Sequence, residues 1–182
     1  MRWFWIDRYT EFVAGKRATA IKGVSLSEEV VDEYAPGATY LPASLIVEGM
    51  AQTGGLLISQ MFEFKSRVVL AKISSVRFHQ QARPGTVLEF KCEMSSTTQF
   101  SAFVTGTVTN ELGPVAELEL MFAMLQDDER FENVVLFEPA ALCRMLRILR
   151  MFEVAVYPDG SPVLVPEHML EAERSELNVF QP

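Results

Sequence analysis

The sequence is constrained most by the segment from Ser44 to Ile58, which is apolar almost all the way round a helix and carries Glu48 as its only charge. A surface helix has one apolar and one polar face, so this pattern predicts a helix buried on most sides, from about Pro42 to Phe62. The segment also contains three glycines, Gly49, Gly54 and Gly55. Each costs about 1 kcal/mol relative to alanine inside a helix and lets a neighbouring element approach closely. We therefore expect a central helix that is supported by its surroundings.

Strand patterns precede and follow this helix. Segments that are β-branched and aromatic, or that alternate between apolar and polar residues, cover 6–12, 18–25, 67–80, 88–94, 100–109 and 116–124. The last four follow one another with short turns, which predicts an antiparallel meander. A curved antiparallel β-sheet wrapped around a long central helix is the hotdog fold, so the predicted class is α+β.

A change in charge divides the chain. Residues 1–125 carry a net charge of −2 and residues 126–182 carry −6, and the break falls at a charged run at 126–130. We therefore predict a core domain over residues 1–125 and a C-terminal extension over 126–182. One amphipathic helix is expected at about 138–151, because Leu142, Met145, Leu146 and Leu149 form an apolar stripe. The arginines beside this stripe are Arg144, Arg147 and Arg150. Residues 152–182 are expected to be irregular.

The composition excludes several classes of protein. With 24 acidic and 16 basic residues the net charge is −8, which argues against nucleic-acid binding. No segment reaches the ~20 apolar residues of a membrane-spanning helix. Cys92 and Cys143 fit neither a disulfide framework nor a metal-ligand pattern, so reducing cytoplasm is the simplest location. His79 and His168 are not clustered with Cys, Asp or a second His, and we predict neither a metal nor a cofactor.

Glu48 is the strongest candidate for chemistry. A carboxylate is costly to bury unless it is paired or neutralised, and a carboxyl group in apolar surroundings can serve as a general acid. Gln52 lies four residues further on, so both side chains occupy the same face of the helix. Gln52 can bond the carboxyl group or satisfy a buried backbone group. A purely structural role for Glu48, bonding a loop or a partner subunit, is the alternative.

Two stretches of sequence resemble a known family. Residues 34–43 read Tyr-Ala-Pro-Gly-Ala-Thr-Tyr-Leu-Pro-Ala, and residues 48–52 read Glu-Gly-Met-Ala-Gln. They align without a gap to the pattern His-Phe-Pro-Gly-x-Pro-x-Met-Pro-Gly, then Glu-Ala-x-Ala-Gln, of the FabZ and FabA type of 3-hydroxyacyl-acyl-carrier-protein dehydratases of fatty-acid synthesis. Shorter matches recur in order over residues 4–125. The resemblance implies the hotdog fold and a lyase of lipid metabolism.

The resemblance also implies an active site. The family's catalytic pair is the His and the Glu, usually from opposite subunits of a dimer; here the Glu is Glu48, and Tyr34 replaces the His. We predict Glu48 and Tyr34 as the catalytic residues. Predicted substrate-binding residues are Gly37, Ala43, Gln52, Leu45, Met50 and Phe78. An acyl tunnel lined by Leu45, Met50, Leu56, Leu57, Phe78, Phe90 and Phe103 is the accompanying hypothesis, and ordinary core packing is its alternative.

Several functions remain open. The first hypothesis is a 3-hydroxyacyl-thioester dehydratase in which Glu48 and Tyr34 share the proton transfers, with activity impaired to the extent that Tyr34 is a poor base. The second is a non-catalytic binder of acyl thioesters or acyl carrier protein. The third is a structural subunit that pairs with an active paralogue and supplies only Glu48 to a mixed site. A hotdog thioesterase is a further alternative. The expected partners are an acyl thioester on acyl carrier protein or coenzyme A and further copies of the chain, as a homodimer or a trimer of dimers. The three arginines of the extension form either a solvated edge or a dock for acidic carrier protein.

Overall fold

The computed structural model describes residues 4–28, 39–125 and 136–179. The strands are β1 (Arg8–Val13), β2 (Arg17–Gly23), β3 (Arg67–Phe78), β4 (Val87–Thr97), β5 (Ser101–Asn110), β6 (Gly113–Leu125) and β7 (Ala155–Val156). The helices are α1 (Ala43–Gln60), α2 (Pro139–Ile148), α3 (Met151–Val154) and α4 (Glu167–Val179). The predicted central helix and each of the predicted strands are present, with ends that differ by a few residues.

The strands form one sheet in the order β3-β6-β5-β4-β2-β1-β7. Strands β4, β5 and β6 are a meander, but β3 pairs with β6, so the prediction of a four-stranded meander was wrong. The second edge of β4 is already used by β2, in a register that runs from Arg17 opposite Glu93 to Gly23 opposite Val87. Strand β3 therefore lies beyond β6, at one edge of the sheet.

Helix α1 lies directly on the inner face of the sheet. A Cβ atom built on Gly49 would be 2.7 Å from the ring of Phe90, and one built on Gly106 would be closer still to the sulfur of Met50. Both distances are shorter than a carbon atom tolerates. Glycine in α1 and in β5 thus sets the close approach of helix and sheet, as the sequence predicted for the helix.

The extension is joined to the sheet rather than irregular throughout. Strand β7 pairs in parallel with β1, and the Tyr9 N–H donates to the Leu149 carbonyl at 2.8 Å. The expectation that residues 152–182 are irregular was wrong, because α4 forms from good helix formers and buries Met169 completely. The boundary at residue 125 remains a prediction.

The arginines of the extension are paired within the chain. Arg144 bonds Glu176 at 2.6 Å and Arg147 bonds Glu173 at 3.2 Å, which joins α2 to α4. Arg150 bonds Glu153 at 2.7 Å. The basic edge predicted from the sequence is therefore largely neutralised by carboxylates of the extension itself. None of the helices in the described ranges is long and apolar enough to cross a membrane.

Candidate active site

A cavity of about 870 Å³ lies between α1, β3 and the extension. One face of α1 forms its floor, with Glu48, Ala51, Gln52, Gly55, Leu56 and Ser59. These positions repeat at three- and four-residue intervals, so they follow one side of the helix. The apolar walls come from Val68, Val69 and Leu70 of β3, from Phe122 of β6, and from Phe4, Leu136 and Phe137. The volume is within the range of small-molecule sites, about 300–1,000 Å³.

A chain of hydrogen bonds orients the carboxyl group of Glu48. The backbone N–H of Trp5 donates to Gln52 Oε1 at 2.8 Å, and Gln52 Nε2 donates to Glu48 Oε1 at 2.8 Å. A backbone N–H can only donate, so it fixes which end of the Gln52 amide faces Glu48. Gln52 therefore bonds the Glu48 carboxyl group and a backbone group at the same time, and these are the two roles considered from the sequence. Glu48 Oε2 has no hydrogen-bond partner within the described residues and is available to a ligand.

Some of the residues predicted for the site fall elsewhere. Tyr34 and Gly37 lie outside the described residues. Ala43 is exposed at the first position of α1, and Leu45 is partly buried against the core. Met50 is fully buried beside Gly106, and Phe78 is 41% exposed at the end of β3. Of the described residues predicted for the site, Glu48 and Gln52 are the two that line the cavity.

The residues predicted to line an acyl tunnel do not all line the cavity. Leu56 lines the cavity, whereas Leu57 and Phe90 are fully buried in the core. Phe103 is 37% exposed. Periodicity alone could not separate these positions, because the cavity face and the sheet face of α1 are both apolar. Core packing, the alternative considered from the sequence, accounts for Leu57 and Phe90.

The extension supplies cavity residues that the sequence did not predict for the site. The lining residues of α2 are Ala141, Leu142, Arg144, Met145 and Ile148. The apolar spacing of α2 could be predicted from the sequence, but nothing in the sequence showed that this face of α2 packs toward α1. Glu48 and Arg144 are the charged groups of the lining, and Arg144 is paired with Glu176. In the described ranges no cluster of His, Cys, Asp and Glu could hold a metal ion.

The fold and the motif around Glu48 define the class to which the chain belongs. A family model described as a FabA-like domain matches residues 3–136, so the chain is a member of the FabA-like domain family. It is 38% identical to the 3-hydroxyacyl-[acyl-carrier-protein] dehydratase FabZ of Caldicellulosiruptor saccharolyticus. That match extends over 120 residues, which are 65% of this chain and 86% of the relative.

Solved structures agree on the fold. The dehydratase heterocomplex ApeI:P from Xenorhabdus doucetiae matches with a TM-score of 0.58 at 16% identity, covering 70% of this chain and 87% of that one. The protein smu.793 from Streptococcus mutans, bound to acetyl-CoA, matches with a TM-score of 0.56 at 18% identity, covering 69% and 93%. The predicted α+β hotdog fold is confirmed by these neighbours. The family model ends at residue 136, so α2, α3, β7 and α4 lie outside it.

Proposed function

We propose that this chain acts on 3-hydroxyacyl thioesters, carried by acyl carrier protein or coenzyme A, as a dehydratase of fatty-acid metabolism. The observation that carries the proposal is the position of Glu48, oriented by Gln52 on the floor of an otherwise largely apolar cavity. Membership of the FabA-like domain family and the 38% identity to a FabZ dehydratase support the choice of substrate. A site with mostly apolar walls and few polar groups suits an acyl chain with one reacting end.

The proposed chemistry is an elimination of water. A base removes a proton from the carbon next to the thioester carbonyl, and the electrons of that C–H bond form the new C=C bond. The C–O bond at the third carbon breaks at the same time or afterwards, and protonated Glu48 gives its proton to the departing hydroxyl. The products are a 2-enoyl thioester and water. The bond from Gln52 leaves Glu48 Oε2 available as the proton donor.

Tyr34 is proposed as the group opposite Glu48, and its chemistry limits the rate. A tyrosine has an ordinary pKa of about 10, so it is a poor base at neutral pH. General acid–base catalysis by a well-placed group contributes roughly 10²–10⁴-fold, and loss of the family's His removes much of that factor. We therefore propose that the wild-type chain binds its thioester normally and turns it over slowly.

The active unit is proposed to be a homodimer, or a trimer of such dimers. Strand β3 is an edge strand with exposed apolar side chains, namely Leu70, Ile73, Val76 and Phe78. Unprotected edges of this kind pair with other strands, and a second copy is the occupant that the family resemblance implies. Because Val69 and Leu70 also line the cavity, a second copy paired along β3 would border the site. The free, buried cysteines Cys92 and Cys143 support a cytoplasmic location.

The proposal is tested by following 2-enoyl thioester formation, and its hydration in reverse, with carrier-protein and coenzyme A substrates. Glu48→Gln is expected to abolish the measurable turnover of the wild type. Glu111→Gln, in the exposed turn between β5 and β6, is the matched control and should leave turnover unchanged. Absence of both binding and turnover in the wild type would overturn the thioester site, and co-purification with a paralogue would then favour the structural subunit.

A further inference from the structure

Helix α2 forms a wall of the Glu48 cavity although it lies outside the family domain. Its lining residues are Ala141, Leu142, Arg144, Met145 and Ile148, which follow one side of the helix. The family model ends at residue 136 and α2 begins at Pro139. The catalytic part of the cavity thus belongs to the family domain, and the wall facing it belongs to this chain's extension.

Two pairs of aromatic rings fix the direction in which α2 crosses the cavity. Phe137, just before α2, lies 6.5 Å from Phe4, and the neighbouring Trp5 bonds Gln52. At the other end Phe152 of α3 lies 6.4 Å from Phe64, which follows the last turn of α1. The start of α2 is therefore near the Glu48 end of α1, and its last residues are near the far end.

The cavity floor is elongated. From Glu48 to Ser59 it follows α1 for eleven residues, which at 1.5 Å per residue is about 16 Å. Apart from Arg144, the walls beyond Glu48 are aliphatic and aromatic, supplied by Val68, Leu70 and Phe122 and by α2. A groove with this shape and lining suits an extended aliphatic chain better than a compact or polar group.

We propose that α2 selects the length of the acyl chain, with Ala141 forming the neck near Glu48 and Ile148 the distal wall. This inference rests on the proposed function and deepens it. Ala141 is exposed and Ile148 is 50% exposed, so both side chains border open space and not the core. The substrate class that follows is medium and long unbranched 3-hydroxyacyl thioesters.

The wall is held in place by bonds on two sides. On the sheet side, the Tyr9 N–H donates to the Leu149 carbonyl at 2.8 Å. Toward α4, Arg144 bonds Glu176 and Arg147 bonds Glu173. Because the wall is held in place, the volume of the cavity depends on the size of the side chains on that wall. A change of side-chain size should therefore change which acyl chain fits.

The test compares two wall variants with opposite expected effects. Ile148→Ala enlarges the distal end and should raise kcat/KM for 3-hydroxydodecanoyl relative to 3-hydroxybutyryl thioester. Ala141→Phe narrows the neck and should lower the same ratio. One extra or missing methylene group in a hydrophobic pocket changes kcat/KM by about 10–200-fold, so shifts of at least about tenfold are expected. Leu164→Ala, at a 75% exposed residue outside the cavity lining, is the control and should not change the ratio.

Binding separates failure of this inference from failure of the proposed function. The dissociation constant of dodecanoyl-CoA is measured by calorimetry for the wild type and the same variants, after circular dichroism has shown that each is folded. Weaker binding by Ala141→Phe, without turnover by any form, would support the wall and contradict the dehydratase. Turnover with an unchanged chain-length ratio and unchanged binding in both wall variants would overturn the wall and leave the dehydratase intact.

Discussion

The ring of Phe90 occupies the space that a side chain at Gly49 would need. A Cβ atom at position 49 would lie 2.7 Å from the Phe90 Cζ, and Phe90 itself is fully buried. Helix α1 and strand β4 therefore pack in direct contact because residue 49 has no Cβ atom. The contact lies one residue from Glu48, so the position of the carboxyl group depends on it.

Gly49→Ala is expected to destabilise the fold. Overpacking of a filled core costs about 1–3 kcal/mol, which exceeds the gain of about 1 kcal/mol from replacing glycine with alanine in a helix. Urea unfolding followed by circular dichroism measures the difference. Gly55→Ala is the control, because its nearest neighbour, on the Phe122 ring, lies at an ordinary 3.4 Å. If both variants unfolded at the same urea concentration, the close helix–sheet approach at Gly49 would be contradicted.

Gln52→Glu is expected to move the pH profile of turnover. The introduced carboxyl group can still accept from the Trp5 N–H, but in its ionised form it cannot donate to Glu48 as the Gln52 amide does. In a Tyr34→His background, Gln52→Glu should be active only at the lower end of the pH range, where the introduced carboxyl group is protonated and can donate to Glu48. Gln52→Met, which removes these two bonds, should lower kcat by about 2–10-fold, since a hydrogen bond between neutral groups contributes about 0.5–1.5 kcal/mol. A pH profile unchanged by Gln52→Glu would show that Gln52 does not position Glu48.

Stability is expected to fall in alkaline solution. Burial raises the pKa of the Cys92 thiol to about 12 from an ordinary value of 9.0, and burial also raises the pKa of Tyr9. The folded state holds these protons more tightly than the unfolded state, so stabilisation is complete below pH ~9 and is lost as the pH rises toward 12. Urea unfolding should show a loss of about 1 kcal/mol from Cys92 between pH 8 and pH 10.

Cys92→Ala separates this thiol from the other titrating groups. The variant should be less stable at every pH, because a small cavity replaces the sulfur, but its loss of stability between pH 8 and pH 10 should be smaller than that of the wild type. Equal slopes in the two proteins would contradict the burial of the Cys92 thiol.

Ile73→Lys is expected to convert the homodimer to a monomer. Ile73 is 46% exposed in the middle of edge strand β3, and lysine on an edge strand opposes pairing with another strand. Light scattering coupled to gel filtration measures the mass. Leu112→Lys, at a 74% exposed turn residue, is the control and should remain dimeric. A monomeric wild type at micromolar concentration would contradict the proposed dimer and the shared site.

The sequence was informative where a pattern depends on local chemistry. The apolar helix around Glu48 and the alternation in β4 and β6 predicted the central helix and the sheet. Glu48, singled out from the same pattern, lines the cavity. The pairing of β3 with β6 could not be predicted in this way, because partners in a sheet are chosen over long range. The wall formed by α2 was missed for a related reason. The stripe of Leu142 and Leu146 shows that one face of α2 is buried, but not which surface it covers.

The effect of Tyr34→His on dehydration tests the central claim most directly. The wild type is expected to turn over 3-hydroxyacyl thioesters below the ordinary enzyme range of ~1–10³ s⁻¹. Tyr34→His should raise the rate by at least about 100-fold, and adding Glu48→Gln should abolish that gain. Glu111→Gln added in its place should preserve the gain. A wild-type rate within the ordinary range, or a Tyr34→His rate that Glu48→Gln leaves unchanged, would contradict a dehydratase site that has kept its acid and lost its base.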